Sequence, residues 1–251
     1  MGSRLSVFVG AALFLVCAVL CPLGYGDSLL DETRRLAEQG EARAQNDLGV
    51  IYHNGDGVPQ SNAEALKWFR RAAEQTFAEA QFNLGTMIAN GEGTPPDDAE
   101  AFSWYRKAAQ QGLATAQNNL GVTYYLGRGV ARDYNLAAKW YRKAAEQGLA
   151  TAQNNLGWMY DNGHGVTQDD ALAVKWYRLA AEQRDASAAR NLGLMYRDGQ
   201  GVAQDDVAAC MWLTRAADQG DENARIILRV VVRKMTPDQI AEAEARAREW
   251  H

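Results

Sequence analysis

Cysteine is nearly missing from this chain: three in 251 residues, and two of them, Cys17 and Cys21, fall within the first 26. If that segment is removed, Cys210 alone remains, no internal disulfide can form, and the core must hold the protein unaided. Copies of the Cys210 position elsewhere hold Leu66, Phe102, Ala138 and Val174, so it reads as a small core hydrophobe rather than a reactive thiol. Histidine is equally scarce. His53, His164 and His251 occupy unrelated positions, whereas a metal site needs several ligands converging, so no metal and no cofactor are expected. The chain contains no Ser-x-x-Lys, the arrangement in which lysine activates a serine nucleophile. It also lacks a basic stripe. Without Arg4 it carries 25 basic against 31 acidic residues, a net charge of −6, which repels phosphate backbones and excludes nucleic acid as a partner.

The first 26 residues read as an export signal: Arg4 is the only charge, Leu5 to Leu20 are mostly apolar, and Gly24-Tyr25-Gly26 gives a small-x-small cleavage pattern. The alternative is a retained membrane anchor, since the apolar run is nearly long enough to span a bilayer. A lipid-anchored form is rejected, because Val16 and Leu20, not small residues, precede the two cysteines. The expected location is periplasmic or secreted, with no stable membrane insertion after cleavage.

A 36-residue unit then recurs five times without insertion, over 36–71, 72–107, 108–143, 144–179 and 180–215. Each copy carries a Leu-Gly pair (Leu120-Gly121 in the third), a Gly-x-Gly loop, and a Trp at one offset: Trp68, Trp104, Trp140, Trp176 and Trp212. A period of this size means a solenoid whose units bury their apolar faces against neighbours, and solenoids favour binding over catalysis. Ala116, Leu120, Thr123 and Tyr124 lie on one face of a first helix, which Gly127 and Gly129 terminate. Ser61, Asp97, Asp133, Asp169 and Asp205 cap the second helix, with Glu64 and Glu100 completing capping boxes in the first two copies. That helix stops at Gly40, Gly112, Gly148 or Gly220; Thr76 and Arg184 replace the glycine, so those two turns should be built differently.

Glycine inside the first helix (Gly49, Gly85, Gly121, Gly157, Gly193) costs about 1 kcal/mol per copy against alanine. The expected return is close backbone approach between paired helices, with the Trp as the large core filler. Residues 27–40 form an N-terminal capping helix. At the other end 216–251 hold a partial repeat, which loses the Leu-Gly pair, and a final helix opened by Thr236-Pro237 with Ile240, Ala243, Ala247 and Trp250 on its apolar stripe.

The string Ala-x-Ala-Gln-x-Asn-Leu-Gly-x-Met-Tyr, then Gly-x-Gly-Val and Ala-x-x-Trp-Tyr-Arg-Lys-Ala-Ala-Glu-Gln-Gly, resembles the Sel1-like repeat, a relative of the tetratricopeptide repeat. The resemblance covers about 36 to 215. It implies an all-α, right-handed α/α superhelical solenoid and an adaptor that binds a protein or peptide partner in its concave groove. Cysteine-rich members of the family are associated with β-lactamase-like hydrolysis. Their paired cysteines are missing here, so weak hydrolysis is the alternative and a non-catalytic role the expectation.

First helices line the concave face of such solenoids. One offset holds Asp47, Asn83, Asn119, Asn155 and Asn191, a ladder of amides that could pair with an extended peptide or could bond a neighbouring repeat's backbone. Neighbouring offsets vary, as specificity requires. Phe82, Tyr125 and Trp158, with Arg190 and Arg197, are the candidate anchors. Trp158 could equally pack between repeats. Gly-x-Gly here follows a helix, not a strand, and is no phosphate loop. The acidic pairs Asp97-Asp98, Asp169-Asp170 and Asp205-Asp206 are caps more simply than calcium ligands.

Overall fold

The computed structural model describes residues 25–249; of the export signal expected over residues 1–26, all but the last two residues lie outside them, as does the expected stripe residue Trp250. Among the described residues there are thirteen α-helices, one short 3-10 turn and no strand. They fall into two compact units divided after Arg132.

The first unit holds α1 (Tyr25–Glu38), α2 (Ala42–Asn54), α3 (Asn62–Glu74), α4 (Ala78–Asn90), α5 (Asp98–Gln110) and α6 (Ala114–Leu126). Each helix packs on the next in sequence. The second unit holds α7 (Tyr134–Glu146), α8 (Ala150–Asn162), α9 (Asp170–Glu182), α10 (Ala186–Asp198), α11 (Asp206–Asp218), α12 (Glu222–Val231), the 3-10 turn Val232–Lys234, and α13 (Pro237–Arg248). Successive packing holds here as far as α12, whereas α13 folds back onto α11. α1 starts two residues before the boundary expected for the capping helix, and Leu30, Leu36 and Ala37 pack it against Leu48 of α2.

Local sequence explains the helix ends. Ser61, Asp97, Asp133, Asp169 and Asp205 each accept a backbone N–H of the first turn, at 2.9–3.3 Å. The capping boxes fail in the first two copies. Glu64 turns to Lys67 at 3.0 Å, and Glu100 accepts from both Arg70 and the Trp104 indole N–H, at 3.1 and 3.2 Å. A carboxylate within reach of a cation gains more there than from a neutral backbone donor. Thr236 with Gln239 makes the one complete box among the described helices.

The two turns without glycine keep the same form as the others. Thr76 and Arg184 adopt φ of 65° and 67°, and their N–H groups bond Ala73 and Ala181 just as Gly112 bonds Ala109. The expectation of a different build is corrected: the hydrogen bonds of the turn impose a left-handed residue whatever its side chain.

The helix-interior glycine also has a different partner from the one expected. A Cβ on Gly49, Gly85, Gly157 or Gly193 would lie 2.7–3.1 Å from the side chain of Phe69, Tyr105, Tyr177 or Leu213, the residue after the Trp. These four are buried. A side chain seated flat on bare helix, not backbone meeting backbone, is the main return on the glycine. The Trp is less central than expected: Trp68 and Trp212 are buried, but Trp104, Trp140 and Trp176 are half-exposed. Arg71, Lys107, Lys143 and Arg215, three residues on, lie over the indoles of four copies at 3.7–4.8 Å from the ring. Cys210 is buried, and burial pushes its thiol pKa up.

Two stability measurements follow. Gly157→Ala gains helix propensity but forces the Tyr177 ring aside, so a net loss of about 1–2 kcal/mol is expected in urea unfolding; a gain would mean the ring moves freely. Arg184→Gly removes left-handed strain and should gain about 0.5–1 kcal/mol after the glycine entropy term. No gain would show that the turn is unstrained.

Candidate functional site

The first-helix offsets expected to face a partner differ in exposure along the chain. In the first unit, the expectation that they turn away from the core fails for α4, where every residue from Gln81 to Ile88 is buried. Asn83 has no exposed surface and donates to Asn46 Oδ1 at 3.0 Å. Phe82 is buried too and tilts against Tyr105, ring centroids 5.8 Å apart. On α6, Asn119 and Tyr125 are half-buried, and Asn119 accepts from Asn118 at 3.5 Å.

In the second unit the same offsets are half-open. Asn155 and Trp158 on α8, and Arg190, Asn191 and Arg197 on α10, are all partly exposed. Asn191 donates to Asn154 Oδ1 at 3.1 Å, repeating the Asn83–Asn46 bond three repeats later. Asn83 and Asn191 therefore each reach a side chain of the preceding repeat, where a backbone partner had been weighed. Arg190 ties α10 to the start of α12, through an ion pair with Asp221 at 2.5 Å. Asp221 is itself the α12 cap, accepting from Ala224 N–H at 2.9 Å. Arg197 pairs with its neighbour Asp198 at 2.6 Å. Trp158 lies against His164, centroids 4.9 Å apart, and His164 stacks parallel on Tyr134 at 4.8 Å.

Several interactions had no local signal in the sequence. Gln45, Gln81, Gln117 and Gln153 donate to the carbonyls of Ala37, Ala73, Ala109 and Ala145, eight residues back, at 3.0–3.2 Å. Gln75, Gln111 and Gln183 donate in turn to Gln45, Gln81 and Gln153, thirty residues away, at 2.7–2.9 Å. His53 meets Glu92 of the next loop at 2.8 Å. The offset alignment held the signal for the glutamines, since one amide type recurs there. The histidine contact is confined to one copy and left none.

Buried ring hydroxyls shape the electrostatics. Tyr177 donates to Asp161 Oδ2 at 3.2 Å, and burial pushes its own pKa far above the usual tyrosine range. Burial also raises the Asp161 carboxyl, which the Tyr177 bond offsets in part. Asp185, the α10 cap, is raised by burial against the pull of the Ala188 N–H. No group of three or more His, Cys, Asp or Glu able to hold a metal ion occurs among the described residues, nor any helix long and apolar enough to cross a membrane.

The Sel1 repeat model matches at 42–77, 78–113, 114–149, 150–185 and 186–221, the same period as read above but phased from the first helix. A protective antigen of uropathogenic Escherichia coli displaying an SLR fold is 40% identical with a TM-score of 0.79; the match covers 88% of this chain and 48% of that one, so the chain spans about half of that protein's length. A Sel1 repeat protein from Oxalobacter formigenes is 32% identical with a TM-score of 0.75, over 88% of this chain and 94% of that one. A sel1 repeat protein from Klebsiella pneumoniae, 21% identical with a TM-score of 0.52 over 80% and 98%, shares the fold. No curated protein matches the chain.

The Asp161 environment yields a pH prediction. Its folded pKa lies above the unfolded value, so its contribution to stability is fullest below the unfolded pKa, near 4, and is lost as pH rises through the folded pKa. Asp161→Asn keeps an acceptor for Tyr177 and removes the titration. The variant should therefore gain on the wild type in thermal melts as pH rises from about 4 to 7; a constant offset over that range would refute the assignment.

Proposed function

The chain belongs to the Sel1 repeat family, and from that premise we propose that it is an exported, non-catalytic adaptor that binds a protein or peptide on its first-helix face. Export rests on the signal-like first 26 residues, with a periplasmic or secreted destination. The non-catalytic reading rests on the missing Ser-x-x-Lys and the missing paired cysteines.

The observation that carries the binding reading is the half-open face of α8 and α10. There the offsets that vary between repeats present Trp158 and Leu194 beside the amides Asn155 and Asn191. An aromatic anchor flanked by amides suits an extended peptide, whose side chains pack on the ring and whose backbone pairs with the amides. Arg190 and Arg197 border this face, each already engaged with an aspartate, and serve as rim groups. In the first unit, Asn119 and Tyr125 on α6 hold the corresponding offsets and are likewise half-buried.

A photo-reactive residue substituted at 158 should crosslink a protein from envelope or secreted fractions, while one at the exposed Glu146 on α7 should not. Equal yields at both positions, or none at 158, would remove the assignment. With the partner in hand, Trp158→Ala should weaken binding by about tenfold or more with helical content unchanged. Turnover of a chromogenic β-lactam that a serine substitution abolishes would overturn the non-catalytic reading.

A further inference from the structure

The charge of this chain is unevenly placed. The molecule carries a net −5, yet between 222 and 234 four cations, Arg225, Arg229, Arg233 and Lys234, face one carboxylate, Glu222. Arg225 is used, pairing with Glu222 and donating to the Ala217 carbonyl. Arg229 and Arg233 are exposed, and neither is held in an ion pair with a described residue, whereas the exposed Lys234 lies near Asp198 and helps to lower its carboxyl pKa.

The same helix exposes apolar surface. Large hydrophobics that stand exposed among the described residues are Leu29, Leu126, Ile226 and Val230. The first two are isolated, as single surface apolar residues normally are. Ile226, 62% exposed, and Val230, 51% exposed, stand one helical turn apart and form a continuous strip. They repeat the offsets of Arg190 and Leu194 on α10, so the strip prolongs the face described above by one repeat. α13 leaves it uncovered, because it packs on α11. Val230 also borders a cavity of about 410 Å³ lined by Arg197, Asp198, Gln204, Asp206, Val231 and Lys234, whose two carboxylates leave it to aliphatic groups rather than to a partner's acids.

The geometry points to α12 and this cavity as a docking surface for an acidic segment of a partner protein with aliphatic side chains. The aliphatic groups cover Ile226 and Val230 or enter the cavity, and the carboxylates meet Arg229 and Arg233. Those are the cations whose charge the molecule leaves unmet. Other occupants fit less well. Two β-branched residues are far short of the area a stable second copy must cover. The strip has no aromatic side chain to insert into a bilayer interface or to stack on a base. The inference rests on the reading that the first-helix face binds protein, and adds the chemistry of the partner at its C-terminal end.

Three fluorescent dodecapeptides test it with the full mature chain: alternating Leu and Glu, alternating Leu and Lys, and alternating Ser and Glu. Binding of the Leu/Glu peptide at least about tenfold tighter than either of the others, and weakened by added salt, is expected. Arg229→Glu with Arg233→Glu, and separately Ile226→Ser with Val230→Ser, should each reduce it by about tenfold or more. All four side chains are on the surface, and circular dichroism confirms that the variants remain folded. Preference for Leu/Lys, or Leu/Glu binding that both double variants retain, would overturn the proposal. So would tighter association with anionic phosphatidylserine vesicles, or a dimer in sedimentation that the Ser variants dissolve. Trp158→Ala separates the two readings. If it abolishes Leu/Glu binding while the α12 variants bind normally, the α8–α10 face stands and the α12 surface falls. If it leaves Leu/Glu binding intact while the α12 variants lose it, the α12 surface holds by itself.

Discussion

A large side chain pressed onto bare helical backbone organises four of the helix pairs, α2–α3, α4–α5, α8–α9 and α10–α11. Phe69, Tyr105, Tyr177 and Leu213 rest on glycines of the preceding helix, so close that a methyl group would collide. The consequences spread outward. A tyrosine ring sunk this deeply brings its hydroxyl inside, and Tyr105 and Tyr177 then need Thr86 and Asp161 as partners. The Asp161 carboxyl is half-buried beside that hydroxyl, and the loss of water raises its proton affinity. With the pocket filled by the residue after it, the indole of Trp104 or Trp140 is left half-exposed, and a cation three residues on covers its face.

The array ends where that contact can no longer form. In α12 the glycine offset is Arg229, onto which no ring could settle, and the returning helix α13 packs on α11 instead. Termination thus leaves Ile226 and Val230 open, and places arginine where the interior of the array has glycine. A solenoid end is commonly made polar to stop further stacking. Here the end is both cationic and apolar, which distinguishes it from an inert cap.

Features written in adjacent residues were legible in the sequence. A side-chain oxygen ahead of an apolar run acts only on its own first turn, so Ser61 and the four aspartates could be read as caps directly. The period identified the fold because five copies share the Leu-Gly, Gly-x-Gly and Trp offsets. Contacts chosen among competing partners were not legible. Glu64 and Glu100 had the spacing for a capping box, but nearby cations outbid the backbone. Thr76 and Arg184 looked like broken stops, and the turn held them to glycine's conformation. For the candidate site, the variable offsets could be located but not their exposure: Phe82 and Trp158 stand at neighbouring offsets, one buried and the other half-open. Exposure depends on what other elements lay over a helix face, and periodicity within the helix carries no record of that.

The glutamine bonds that link helices recur at fixed separations: eight residues in the first four copies, and thirty from Gln75, Gln111 and Gln183. An interface defined by fixed separations has no memory of where in the chain it sits. Unequal recombination that inserts or deletes one whole 36-residue unit between the ends would regenerate each of these bonds at the new junction. The same event out of register by a single residue would break them all. Length in this architecture is therefore a quantity that a genome can adjust in whole steps without redesigning a core, while the two ends, which carry the departures from the pattern, travel unchanged.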